Sequence, residues 1–213
     1  MARIPKGIMG PIIGKVGPLV GATWKKKAYV RTVPKKKKKK KVIKSPAKHA
    51  SEQTFKFMHN WLVPFHDYIS IGFKNEAQQM TEINAAFSLN YKQAIVGTYP
   101  DLSVDYTKVV ISRGDLHGLD VVKLELVDDT LEVQWSEYNT KKTGYNDQVL
   151  FVVYEPLEHI TDGFIGRAIR SDGAFNFALK DYMIGKTLHV FIGVVSLNRK
   201  YISNSQYFGP IQS

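Results

Sequence analysis

Apolar residues recur along this chain at two different periods. After Ser51, the residues Phe55, Met58, Leu62, Phe65 and Ile69 follow at three- and four-residue steps, the spacing of one helix face. Ser51 is the expected N-cap, and Glu52 suits the first turn. Pro64 is expected to kink or break this helix. A second helix is predicted from about Asn75, with Met80, Ile83, Phe87 and Tyr91 as its stripe. Together they make a helical hairpin over 49–93.

From about Ala94 the period becomes two. Strands are predicted at 104–112, 119–127, 130–136, 147–154, 163–170, 173–180, 187–196 and 201–208, and Leu131-Glu132-Val133-Gln134-Trp135 alternates most cleanly. Turn signals fall between them at Asp128-Asp129, Lys142-Thr143-Gly144, Ser171-Asp172-Gly173, Ile184-Gly185 and Asn198-Arg199. Strands at about ten-residue spacing with no helical pattern between them predict a mainly β fold. The expected body is an antiparallel β-sandwich over 94–213, immunoglobulin- or fibronectin type III-like, pointed to by the Leu-x-Val-x-Trp strand and a later Tyr-bearing one.

Residues 1–48 follow neither period. Gly7-Ile8-Met9-Gly10-Pro11-Ile12-Ile13 is echoed by Gly14-Lys15-Val16-Gly17-Pro18-Leu19-Val20. The glycine spacing alone fits a helix face, but Pro11 and Pro18 would each cost a helix interior about 3 kcal/mol. An extended or turn-rich segment is the reading that survives. From Trp24 to Pro46, lysines crowd so densely that the stretch is expected to repel itself and stay disordered when free.

Charge sharpens the division. Residues 1–48 hold sixteen of the thirty Lys and Arg and none of the nineteen Asp and Glu. The other 165 residues therefore carry fourteen basic against nineteen acidic groups, a net of −5. A strongly cationic arm followed by an acidic body points to a polyanionic partner. The candidate nucleic-acid-binding residues are Trp24, Lys25, Lys26, Lys27, Tyr29, Arg31, Lys35, Lys36, Lys37, Lys38, Lys39, Lys40, Lys41, Lys44 and Lys48. Lysines near phosphates release condensed counterions, giving salt-dependent binding of DNA or RNA that is indifferent to sequence. Trp24 and Tyr29 add rings on which bases can stack. A solubilising tail, a targeting signal or an anionic-membrane contact are the other uses of such a run.

Other chemistry is thinly represented. The chain has no cysteine, so disulfides and thiolate metal sites are excluded. Its six histidines show no i,i+4 ligand pair, and no Gly-x-Ser-x-Gly elbow or phosphate-binding loop occurs. Neither a catalytic residue, nor a metal ligand, nor a cofactor is predicted. Arg113-Gly114-Asp115 is read as a turn between strands. No apolar run is long enough for a transmembrane helix. The N-terminal apolar stretch, broken by Pro11, Lys15 and Pro18, does not match a signal peptide. The expected setting is a virion or the bacterial cytoplasm.

The opening Lys6-Gly7-Ile8-Met9-Gly10-Pro11-Ile12-Ile13-Gly14-Lys15-Val16-Gly17-Pro18-Leu19-Val20-Gly21-Ala22-Thr23-Trp24 and then Tyr29-Val30-Arg31 resemble a family of uncharacterised bacterial and phage proteins of about this length. The likeness continues at Ile71-Gly72-Phe73-Lys74, Asn84-Ala85-Ala86 and Ile111-Ser112-Arg113-Gly114, and closes at Ile202-Ser203-Asn204-Ser205-Gln206-Tyr207-Phe208-Gly209. The resemblance implies a virion or assembly role. The unbroken lysine run departs from the family pattern. The leading expectation is thus a structural protein of a phage particle, homo-oligomeric through arm and β body, with its arm on packaged nucleic acid. The alternatives are a cellular nucleic-acid-binding protein that forms no shell, and an enzyme with a dispersed site.

Overall fold

A computed structural model describes residues 2–7, 10–24, 27–35, 45–76, 80–136 and 144–213. The chain forms two compact units, 1–44 and 45–213.

The first unit is an antiparallel sheet in the order β1 (Gly14–Val16), β2 (Leu19–Trp24), β3 (Lys27–Thr32). The extended, turn-rich reading of the glycine repeat holds for its second copy. Gly17, with φ at +54°, and Pro18 connect Val16 to its partner Leu19. The expected disorder is corrected for Trp24 and for Lys27–Thr32, which lie in strands. The ladder from Leu19↔Thr32 to Trp24↔Lys27 satisfies their backbone groups, and lysines on a solvated face keep their charges in water. Within the predicted extended basic arm, 14–16, 19–24 and 27–32 are therefore strands of a folded sheet. Arg3 and Ile13 exchange two 2.8 Å backbone hydrogen bonds beside it.

In the second unit, α1 (Pro46–Leu62) is capped by Ser45, six residues before the expected Ser51 cap. Ser45 accepts from the Lys48 N–H at 3.3 Å, and Pro46 opens the first turn. Proline's preset φ suits that position, where its missing N–H is no loss. At Pro64 the helix passes, as expected, into a 3₁₀ turn (Val63–Phe65), followed by α2 (His66–Gly72). The next helix, α3 (Glu82–Gln93), begins at Thr81, which accepts from the Asn84 N–H, and not near Asn75.

The strands follow as β4 (Ile95–Thr98), β5 (Asp101–Val104), β6 (Asp120–Val127), β7 (Thr130–Ser136), β8 (Gln148–Glu155), β9 (Ile160–Ile169), β10 (Ala174–Ala178), β11 (Thr187–Val195) and β12 (Gln206–Gln212). β4 and β5 form a small hairpin that periodicity missed. The predicted strand 104–112 is corrected. After β5 comes a 3₁₀ turn (Tyr106–Lys108), and side chains replace a ladder over 110–111. Asn90 both accepts from Val110 N–H and donates to its carbonyl, at 2.8 Å each, while Ser205 Oγ accepts from Ile111 N–H. The strand expected at 201–208 starts only at Gln206.

Two antiparallel sheets result, β10-β7-β6 and β12-β11-β8-β9. The larger is buried on both faces. Val149, Phe151, Val153, Val190, Ile192 and Val194 pack with Leu131, Val133 and Phe177 of the smaller sheet. Their alternates Leu150, Val152, Tyr154, Phe191 and Val195 pack with Met58, Trp61, Leu62, Phe65 and Ile69 of the helical segment. Helices, four-stranded sheet and three-stranded sheet are thus three layers of one unit. Each large side chain so buried contributes about 1.5–3 kcal/mol.

Candidate nucleic-acid interface

Side chains alternate across a strand, and directly paired residues of an antiparallel ladder share a face. The register Lys15↔Val20↔Arg31, Ala22↔Tyr29 and Trp24↔Lys27 therefore gathers Lys15, Val20, Ala22, Trp24, Lys27, Tyr29 and Arg31 on one face of β1-β2-β3. All three cations are exposed, and Trp24 and Tyr29 are 45% and 46% exposed. The opposite face holds Val16, Leu19, Gly21, Thr23, Ala28, Val30 and Thr32. There Gly21 is buried, and a Cβ on it would run into the Ile12 carbonyl oxygen. Backbone covers one face at that point, and the other carries the charge. Among the fifteen basic residues of 1–44 there is no acid, so no carboxylate of this unit neutralises the face.

Four of the predicted residues, Trp24, Lys27, Tyr29 and Arg31, are brought together here. Lys15 joins them and was missed. Its signal was the two-residue Gly17-Pro18 connection, which fixes the register that sets Lys15 level with Arg31. Lys35 is exposed just past the sheet. Lys48 belongs to the other unit, in the first turn of α1. Lys25, Lys26, Lys36, Lys37, Lys38, Lys39, Lys40, Lys41 and Lys44 lie outside the described residues.

Around Ser112 and Ser203 the polar groups of the second unit are engaged with one another. Ser112 Oγ donates to the Ser203 carbonyl at 2.9 Å, and Ser203 Oγ accepts from Val194 N–H at 2.8 Å. Arg113-Gly114-Asp115 is no free turn: Arg113 N–H donates to the Gly72 carbonyl, and Gly114 N–H to Asn204 Oδ1. Among the described residues, no group of three His, Asp or Glu is placed to hold a metal ion. None of the described helices is long and apolar enough to cross a membrane.

His189 is buried beneath Tyr106, ring centroids 3.7 Å apart, with Nδ1 2.8 Å from the Tyr207 hydroxyl. Burial holds its pKa below 6.5. Burial and the nearby His59 do the same for His66, with Asp67 opposing. Both are thus favoured neutral in the fold. As pH falls below about 6.5 the unfolded chain binds protons that the folded chain refuses, so stability falls. The urea midpoint is expected to drop between pH 7 and pH 5, and His189→Phe, which keeps a ring under Tyr106, should make that drop shallower. An unchanged pH slope in the variant would show that His189 does not contribute.

The model of a family of unknown function (DUF6266) matches residues 11–209. The chain belongs to this family. The matched span takes in β1, β2 and β3 as well as nearly all of the second unit, so the basic sheet falls within the family module. A comparison with curated proteins returns no match. Three of the segments singled out by resemblance, 71–74, 111–114 and 202–209, meet in space. Arg113 N–H bonds to Gly72, Ser205 N–H to the Ser112 carbonyl, and Leu116 N–H to Ile202, at 2.9–3.0 Å. A Cβ on Gly72 would lie 2.5 Å from the Ile111 carbonyl, and one on Gly193 2.6 Å from Ser112 Oγ. These segments form a close-packed junction that fastens the end of α2 to the segment preceding β12.

Proposed function

We propose that the protein is a non-enzymatic binding and assembly protein that holds DNA or RNA, without regard to sequence, through its basic N-terminal unit. The observation that carries this is the single face of β1-β2-β3, where Lys15, Lys27 and Arg31 surround Trp24 and Tyr29. Phosphate contacts of this kind position a strand and read no bases. The lysines from Lys35 to Lys41 and Lys44 extend the positive field along the chain. The body then serves as the part that associates with further copies, in a virion and most specifically a phage particle, with a bacterial host cytoplasm as the place of synthesis. A cellular protein that coats nucleic acid without a shell is the alternative setting for the same face.

The strand order supports the fibronectin type III-like form of the sandwich. Counted from β6, the first, second and fifth strands of the sandwich, β6, β7 and β10, share one sheet. The fourth, β9, stays with the third, β8, whereas in a constant-type immunoglobulin domain the fourth joins the first sheet.

The test is a salt titration of the intact protein against single- and double-stranded DNA and RNA, with sedimentation alongside. Affinity is expected to fall steeply with salt, at a log–log slope of about −7 if the seven lysines of the run and the three cations of the sheet face all engage a single strand, and to be alike for unrelated sequences. Large symmetric particles mean a shell, and small species that grow only with nucleic acid mean a coat. Affinity that is flat with salt would sink the proposal.

A further inference from the structure

We infer that the β1-β2-β3 face is selective for single strands: it takes unpaired bases on Trp24 and Tyr29 while Lys15, Lys27 and Arg31 hold the flanking phosphates. This rests on the nucleic-acid reading above and adds the form of nucleic acid that the site accepts.

Trp24 pairs across the ladder with Lys27, and Tyr29 lies two residues beyond Lys27 on β3. The two rings are therefore diagonal neighbours, roughly 7–8 Å apart at their Cα atoms. That is about twice the 3.4 Å advance per nucleotide along a duplex strand. Two bases on two such rings are separated from each other, a state open to a single strand and closed to a stacked duplex. Inside a duplex the base faces are already covered by their neighbours, so rings on a flat sheet have nothing to stack on.

The cations fall at matching intervals. Lys27, Tyr29 and Arg31 alternate along one face of β3, each roughly 6.8 Å from the next, with Lys15 level with Arg31 on the far strand. Cation, ring, cation is the order that a backbone with splayed bases presents. Small Ala22, opposite Tyr29, and Val20, opposite Arg31, are the remaining β2 residues of the face. A binder of phosphate alone needs the lysines and has no use for rings set among them. Base stacking on aromatic side chains is sequence-tolerant, since every base offers a π-face.

The protein carries its own reporter. Trp61 and Trp135 are buried, at 3% and 5% exposure, whereas Trp24 is exposed, and these are all three tryptophans. The full chain is titrated at fixed ionic strength with a thymidine homo-oligonucleotide, a mixed-sequence DNA duplex and inorganic polyphosphate. The homo-oligonucleotide alone is expected to quench tryptophan fluorescence. Trp24→Leu should abolish the quench and weaken single-strand binding about 5- to 150-fold, the worth of one stacked base. Duplex and polyphosphate binding should stay as they were. Trp24→Phe guards against a folding artefact, keeping affinity for the single strand while losing the signal. Equal quenching by polyphosphate, or unchanged single-strand affinity in Trp24→Leu, would overturn the stacking inference and leave the polyanion reading standing. Failure of all three ligands to bind would overturn both.

Discussion

Replacing Lys35–Lys41 by glutamine is expected to reduce the log–log salt slope of single-strand binding by about five. Each engaged lysine adds roughly 0.7 to that slope on a single strand, and the run supplies seven. Over a fourfold rise in salt, from 50 to 200 mM, those contacts account for about a thousandfold of the affinity. The variant should therefore lose most at low salt and converge with the parent at high salt. What remains is set by the sheet face, where Lys15, Lys27 and Arg31 sustain a slope of about −2. The second unit offers no substitute, because 45–213 holds fifteen basic against nineteen acidic residues. Fluorescence anisotropy of a labelled oligonucleotide across a salt series measures both slopes. An unaltered slope would mean that the lysine run is a solvated tail and that the sheet face alone binds.

Where local chemistry decided the structure, it was legible. β7 spans the predicted 130–136 because Leu131, Val133 and Trp135 alternate with polar residues. Asp128 and Asp129, with φ at +44° and +59°, make the two-residue turn that matches strand twist. Pro64 interrupts its helix for the steric reason given. Pairing was the hidden part. Lys15 and Arg31 are sixteen residues apart, and only the ladder shows that they share a face. The density of lysine around β3 masked its alternation, because a repulsive sequence and an exposed strand have the same composition.

The helical layer was hidden for a related reason. Val149–Tyr154 and Leu188–Val195 are nearly unbroken apolar runs, the mark of strands covered on both faces. That pattern calls for a second covering layer without naming it. At 109–112, apolar residues imitate a strand, yet Asn90 and Ser205 supply the hydrogen bonds. Three of the segments noted for family resemblance, 71–74, 111–114 and 202–209, proved to be the junction that holds α2 to the chain before β12. Their glycines are explained by backbone approach, and ligand binding is not needed to account for them.

Arg170→Met is expected to cost the fold about 3–5 kcal/mol, the usual penalty for stranding a buried charge. Arg170 and Asp147 are both buried, at 3% and 4% exposure. Their direct contact, Nε to Oδ2, is 3.4 Å, whereas the other guanidinium nitrogens donate to the carbonyls of Gly118 at 2.9 Å and His117 at 2.6 Å. The arginine thus ties the segment before β6 to the start of β8, with the charge pair completing the set. Methionine fills much of the volume but leaves the Asp147 carboxylate without its guanidinium partner and two carbonyls without donors. Asp147→Asn should cost less, since its side chain still accepts from Gly144 N–H, now at 2.9 Å. With a urea m-value of about 2 kcal/mol/M, the Arg170→Met midpoint should fall by roughly 2 M. Trp135, whose Nε1–H donates to the Arg170 carbonyl at 2.8 Å, reports the loosening through its near-UV signal. A midpoint shift below about 0.5 M would show that water replaces the guanidinium and that the pair contributes little to holding the two sheets' connections together.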